Sequence, residues 1–135
     1  MTLSNSRRTI ATSLTAFVAA LFLFVATSPV SAEDSHHEEL TREQIALQLI
    51  AKGALLVDVR RAEEFAAGHL DGAIHIPHDE TEARLAEYGA DKSREIVVYC
   101  RSGRRSGIAT EILRANGFTN VHNGGGYEPI LAAKG

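Results

Sequence analysis

From residue 41 onward, short apolar runs alternate with segments of helical pattern. The runs cover residues 54–59, 72–77, 95–100 and 119–122, and their length and branched side chains are typical of buried strands. Strands that alternate with helices favour a parallel sheet covered by helices on both faces. The sequence therefore predicts an α/β domain.

The segments between the runs carry helix signals of their own. Thr41 to Gln44 forms a capping-box pattern ahead of a helix that ends near Lys52. Glycine is the residue most often found just after a helix, and Gly68 is predicted to stop a helical turn. Further helices are predicted over residues 81–88, 108–116 and 127–133, and residues 124–126, all glycine, predict a loop.

Residues 1–32 have the three-part layout of a secretory signal peptide. Arg7 and Arg8 precede an apolar run over residues 10–25, no acid is present, and small residues lead up to Ala32. The run is shorter than the ~20 residues that a membrane span needs. We predict cleavage near Ala32 and a periplasmic or secreted protein, with an uncleaved anchor as the alternative. The arginine pair hints at twin-arginine export, but the general secretory route is favoured.

The next segment, residues 33–39, is polar and is predicted to be a flexible leader to a folded domain at 40–135. Its adjacent His36 and His37 are interpreted as solvated linker, because neighbouring histidines in a tail rarely fix a coordination geometry. We expect neither a metal site nor a cofactor. The formal net charge of −3 provides no global basic field for nucleic acid. We expect the mature protein to be a monomer that is not attached to the membrane once the signal peptide is cleaved.

The single cysteine, Cys100, ends the strongest predicted strand and opens an arginine-rich loop. Ligands of such sheets bind beyond the carboxyl ends of the strands, and the following helix presents its positive end to the same point. Backbone N–H groups and nearby cations favour the thiolate, which is the attacking species. The alternative is a structural cysteine beside a surface loop. We predict Cys100 as the nucleophile and an anion-binding loop of Arg101, Ser102, Gly103, Arg104 and Arg105.

Residues 100–105 resemble the C-R-x-G-x-[R/T] loop of the rhodanese family. Residues 56–60 resemble its V-D-V-R strand, residues 64–77 its E-[FY]…G-H-I-x-G-A-x-N-I-P segment, and residues 117–127 its closing G-[FY]-x-N-V…G-G segment. The similarity extends from about Leu40 to the C-terminus. It implies a rhodanese-like α/β fold with a central parallel five-stranded sheet flanked by helices on both faces.

The resemblance also implies sulfur transfer from thiosulfate or a similar small anionic donor to a thiol or cyanide, through a persulfide on Cys100. The loop amides would hold the outer sulfur and the departing sulfite, with Arg101 and Arg105 as the cationic positions of the pattern. A protein acceptor is also compatible with it. His75 replaces a common asparagine and Ile130 a frequent tryptophan, and both differences are expected to affect packing more than chemistry.

Two other functions stay open at this point. A phosphatase or arsenate reductase of the same fold has a Cys-x5-Arg loop, whereas here Ser106 occupies the sixth position. The shorter loop suits one sulfur atom better than a phosphate, which needs a wider ring of donors. The other alternative is a persulfide carrier or binding module for a partner protein. Outside the loop, we expect Asp58 and Arg60 to pair with each other or with neighbours and so fix the strand end, with a place beside the active site as the alternative. His69 is expected to hold a turn, and the histidines at 78 and 122 to lie at the surface.

Overall fold

The computed structural model describes residues 38–135. The predicted signal peptide, its cleavage point and most of the predicted leader lie outside the described residues. None of the helices in the described part is long and apolar enough to cross a membrane.

Four strands and four α-helices follow one another along the described chain. The strands are β1 (Leu55–Asp58), β2 (Ile74–His75), β3 (Ile96–Cys100) and β4 (Val121–Gly126). The helices are α1 (Arg42–Ala51), α2 (Ala62–Ala67), α3 (Arg104–Ala115) and α4 (Tyr127–Lys134), with two 3₁₀ helices at His78–Glu80 and Leu85–Tyr88. The strand order is β2-β1-β3-β4, and every neighbouring pair is parallel. The predicted parallel α/β architecture is confirmed.

The sheet has four strands within residues 38–135, so the expectation of five is wrong for this part of the chain. The residue pattern itself contains only four strand-like runs, and the fifth strand came from the family resemblance. Residues 38–40, which precede α1, are exposed and form no strand.

Strand β3 divides the core into two layers because successive side chains point to opposite faces of a sheet. Ile96, Val98 and Cys100 pack on the side of α3, together with Leu113. On the other face, Val97 and Tyr99 pack in one cluster with Ala46 of α1 and Ile130 of α4. All five strand residues are buried. Helices on both faces therefore enclose the strand that ends in the cysteine.

The α-helix predicted over residues 81–88 is replaced by turns and one short 3₁₀ segment, Leu85–Tyr88. Only Leu85 and Tyr88 in this stretch join the core cluster. They are three residues apart, and in a 3₁₀ helix such residues lie on the same side. A single tight turn is therefore sufficient to bury both side chains, and a longer helix adds no apolar contact.

The glycines at 124–126 belong to β4 and not to the predicted loop. A side chain at Gly124 would crowd Val97 and Ala46, and one at Gly126 would collide with the carbonyl group of Arg101. The register between β3 and β4 shifts at this point, which accommodates the extra residue as an irregularity of the ladder. Glycine therefore lets β4 lie directly against β3 and the start of the cysteine loop.

Candidate active site

Strand β3 delivers Cys100 to the carboxyl edge of the sheet. The cysteine is fully buried and faces α3. Only Arg101, Ser102 and Gly103 separate the strand from α3, which begins at Arg104 and not near residue 108 as the apolar pattern predicts. The first turn of α3 therefore lies close to the sulfur. A helix N-terminus carries unpaired N–H groups and a partial positive charge, both of which favour an anion.

Gly103 makes this short connection possible. Its φ angle is +95°, in the left-handed region that side chains rarely adopt. The turn brings its N–H group back to the Cys100 Sγ atom at 3.0 Å. The loop therefore curls back around the sulfur.

The hydroxyl group of Ser106, from the first turn of α3, lies 3.5 Å from the Cys100 Sγ atom. Burial raises the pKa of the Cys100 thiol. Hydrogen bonds from the Ser106 hydroxyl and from the backbone N–H groups of Ser106, Ser102 and Gly103 lower it, and the pKa falls to about 7. The pKa of the thiol therefore lies below the ordinary value for cysteine and close to neutrality.

Arg105 forms a two-point ion pair with Glu64 of α2. The distances from Nη1 to Oε2 and from Nη2 to Oε1 are 2.6 and 2.9 Å. Arg105 holds the pKa of Glu64 down at about 2, and Glu64 in turn raises the pKa of Arg105, as does the nearby sulfur of Cys100 to a smaller extent. The carboxylate fixes the guanidinium beside the sulfur and offsets part of its charge.

The other predicted loop residues lie outside this inner arrangement. Arg101, Ser102 and Arg104 are exposed. Two surface clefts, of about 430 and 680 Å³, both border on Arg101 and Glu64. The smaller cleft also includes Arg60, Tyr127 and Glu128, and the larger one includes Arg61, His78, Ser102, Arg104 and Arg105. The structure thus groups Cys100, Gly103 and Arg105 around the sulfur and places Arg101 between two clefts.

Asp58 and Arg60 pair with each other, as the sequence predicts. The Arg60 Nη2 atom donates to Asp58 Oδ2 at 2.7 Å, and both side chains are buried. Arg60 also donates to the Gly68 carbonyl and lies over the Tyr127 ring. The pair therefore ties β1 to the segment after α2 and to α4, and it builds one wall of the smaller cleft.

The histidine predictions hold to different degrees. The His69 ring lies 2.9 Å from the carbonyl oxygen of Phe65 and stacks on the Phe65 ring, so it fixes the turn after α2 as predicted. His78 and His122 are half-buried, and His122 contacts the backbone of Arg42. Ile130 is fully buried in the core.

Four residues of the surroundings escape the sequence prediction: Arg42, Glu64, Ser106 and Asn123. Ser106 immediately follows the predicted loop, and Glu64 lies in a matched family segment, so both carried a usable signal. Arg42 and Asn123 come from α1 and β4, and their relation to Cys100 depends on strand order. The Ser106 hydroxyl lies 2.7 Å from Asn123 Oδ1 as well as 3.5 Å from the Cys100 sulfur, so its single proton is shared between two acceptors. Asn123 also donates to the Gly103 carbonyl at 2.9 Å.

Comparison with known proteins shows which family this arrangement belongs to. The family model described as "Rhodanese-like domain" matches residues 41–133. The chain therefore belongs to the rhodanese-like family, which confirms the resemblance and the rhodanese-like α/β fold.

Several named relatives are similar over most of this domain. Thiosulfate sulfurtransferase PspE of Escherichia coli (strain K12) is 44% identical over 78 residues, which are 58% of this chain and 75% of that protein. Human thiosulfate:glutathione sulfurtransferase is 38% identical over 97 residues, covering 62% of this chain and 84% of that protein. In three other relatives the matched segment spans a smaller share of the protein, from 33% to 54%.

Solved structures show the same similarity. A structure described as a rhodanese with anions from E. coli is 42% identical, with a TM-score of 0.51 over 56% of this chain and 88% of that one. Together with the names of the relatives, this supports the prediction of a rhodanese-type enzyme.

The hydrogen bonds to Cys100 predict how its ionisation depends on pH. The thiolate absorbance of the purified protein, with Cys100→Ser as the blank, should rise with a midpoint at about pH 7. Ser106→Ala removes one hydroxyl donor and should raise the midpoint by about one pH unit. Ser102→Ala is the matched control, because Ser102 contributes its backbone N–H group, and its midpoint should stay at the wild-type value. A wild-type midpoint near 8.5, the ordinary value for cysteine, would contradict this electrostatic account.

Proposed function

We propose that this protein is a thiosulfate sulfurtransferase that carries sulfur as a persulfide on Cys100. The observation that carries the proposal is the buried Cys100 sulfur, which faces the Gly103 N–H group and the Ser106 hydroxyl at the start of a helix. This environment favours an anion at the sulfur position. The names of similar proteins, among them thiosulfate sulfurtransferases, support the same reaction.

In the first step the Cys100 thiolate attacks the outer sulfur of thiosulfate. A sulfur–sulfur bond forms to Cys100, the sulfur–sulfur bond of thiosulfate breaks, and sulfite leaves with the electron pair. The products are a Cys100 persulfide anion and sulfite, so the total charge is unchanged. Two anions must meet in this step. The loop amides and the positive end of α3 lower the repulsion between them and stabilise the persulfide that results.

In the second step a thiolate acceptor attacks the outer sulfur of the persulfide. The bond from that sulfur to Cys100 breaks, the cysteine thiolate is restored, and the acceptor leaves as a persulfide. Cyanide in place of the thiolate gives thiocyanate. No proton, oxidant or cofactor is required for either transfer.

The donor is drawn in by local charge and not by the field of the whole protein, whose net charge is negative. Arg101 is exposed and borders both clefts, and Arg104 and Arg105 line the larger one. Arg105 is paired with Glu64, so its charge is partly offset. Arg101 and Arg104 therefore provide most of the attraction for a small anion, and Arg105 acts at the sulfur itself.

The principal test is sulfur transfer by the purified full chain and by Cys100→Ser. After exposure to thiosulfate, the wild-type mass should increase by one sulfur atom, and turnover with cyanide or a small thiol should follow. Cys100→Ser should show neither, with an unchanged unfolding transition. Turnover by this variant would exclude the mechanism. If the persulfide forms but no small acceptor removes it, a carrier for a partner protein is the better description, and hydrolysis of p-nitrophenyl phosphate would favour a phosphatase.

Arg101→Ala should weaken the use of thiosulfate. Charge-assisted contacts contribute ~1.5–3 kcal/mol when fully formed. Since Arg101 is exposed to solvent, we expect a smaller effect, an increase in KM of about threefold to tenfold with little change in kcat. Arg114→Ala is the matched control, because Arg114 lies on α3 and pairs with Glu111. Equal kinetics for Arg101→Ala and Arg114→Ala would mean that the backbone amides bind the donor unaided.

We also propose that the protein is exported and that residues 1–32 are removed. The basis is the layout of arginine pair, apolar run and small residues before Glu33. Expression of the full chain in a bacterial host should give a mature protein that begins at or near Glu33 and leaves the cells on osmotic shock. A full-length protein retained in the membrane fraction would favour the anchor instead.

A further inference from the structure

Arg42, the first residue of α1, lies against the outer side of the cysteine loop. Its Nη2 atom donates to the Ser102 carbonyl oxygen at 3.2 Å. The same peptide unit carries the Gly103 N–H group, which donates to the Cys100 Sγ atom at 3.0 Å. Since the peptide bond is planar and trans, its C=O and N–H groups point in opposite directions. The unit is therefore held by a guanidinium on one side and directed at the sulfur on the other.

The structure leaves room for this guanidinium. A β-carbon at Gly103 would lie 2.5 Å from Arg42 Nη1, and one at Gly125 would lie 2.7 Å from Arg42 Nε. Both glycines have positive φ angles, so the loop and β4 bend around the arginine where no side chain intervenes. Glu43 accepts a hydrogen bond from Arg42 Nε at 2.7 Å, which fixes the orientation of the Arg42 guanidinium.

We propose that Arg42 is a positioning residue, which orients and polarises the Ser102–Gly103 peptide unit so that its N–H group donates to the Cys100 sulfur. A cation on the carbonyl oxygen strengthens the N–H group of the same peptide as a donor, because hydrogen bonds in a chain polarise one another. Arg42 acts on the sulfur through one peptide unit and touches neither substrate nor thiolate. The catalytic consequence rests on the proposed function, whereas the effect on ionisation does not.

Other charged groups near the sulfur do not replace this contact. Arg105 approaches the sulfur from α3 but is bound to Glu64. At the end of the neighbouring strand β1, Asp58 and the following Arg60 neutralise each other. Two further groups contact Arg42, namely Glu43 and His122. The other charged or titratable groups of the two clefts beside the loop are Arg61, Glu63, His78, Arg101, Arg104, Tyr127 and Glu128.

The test is the pH profile of Cys100 in Arg42→Met, measured on the full chain by thiolate absorbance and by the rate of alkylation with iodoacetamide. We expect the midpoint to rise by about half a unit to one unit, because Arg42 is half-exposed and its contact is screened. At neutral pH, kcat/KM for thiosulfate should fall about twofold to fivefold, as the thiolate fraction does, and it should recover towards the wild-type value above the new midpoint. Arg42→Lys keeps a cationic donor and should recover at least half of the shift.

Arg84→Met is the matched control. Arg84 donates to the His75 carbonyl oxygen at 3.2 Å and pairs with glutamates, so it resembles Arg42 in its contacts but is less exposed and serves a different segment. Its midpoint should equal that of the wild type. Should Arg42→Met reduce protein yield, Arg42→Gln provides a neutral donor at the same position, with an intermediate shift expected.

An unchanged midpoint in Arg42→Met or Arg42→Gln would overturn the proposal. So would a fall in rate by the same factor at every pH, because a merely structural residue acts in that way. The absorbance and alkylation measurements need no sulfur transfer. A wild-type protein that fails to transfer sulfur would therefore refute the proposed function, while the shift in midpoint would still decide the role of Arg42.

Discussion

The site depends on a balance between burial and hydrogen bonding at one sulfur atom. Removing a thiolate from water raises the pKa of a cysteine, so the fully buried Cys100 would be inert without compensation. The Gly103 N–H group and the Ser106 hydroxyl supply that compensation, and the pKa falls instead. Both groups reach the sulfur because β3 ends three residues before α3 begins. The short connection between β3 and α3 therefore lowers the pKa of the cysteine by bringing these donors to the sulfur.

That short connection is stabilised by distant parts of the chain. Arg42 of α1 holds the Ser102 carbonyl, and Asn123 of β4 holds the Gly103 carbonyl. Glu64 of α2 fixes Arg105. Each of these contacts joins residues at least 20 positions apart, and each follows from the strand order that brings β1 and β4 to either side of β3. The parallel sheet thus places three independent supports around one loop.

The sequence predicts the parts of this arrangement that are local. The strand before Cys100, the glycine in the loop and the pairing of Asp58 with Arg60 all depend on residues close together in the chain. The 3₁₀ segment at Leu85–Tyr88 was missed because two apolar residues three apart fit either helix type. The sequence pattern does not predict that β4 continues through Gly124–Gly126. Glycine is required there because side chains would meet Val97 and Arg101, and that packing is visible only in the structure. The contact between Arg42 and the loop could not be predicted either, because it joins residues 60 positions apart in the chain.

The burial of the Cys100 sulfur affects whether two copies of the protein can become joined by a disulfide. A disulfide requires two sulfur atoms about 2 Å apart, and Cys100 is the only cysteine in the chain. Because that sulfur lies below the surface, two copies cannot bring their thiols to bonding distance unless both loops open. Concentrated protein under air should therefore resist covalent pairing, even though the pKa of its thiol is lowered to about 7.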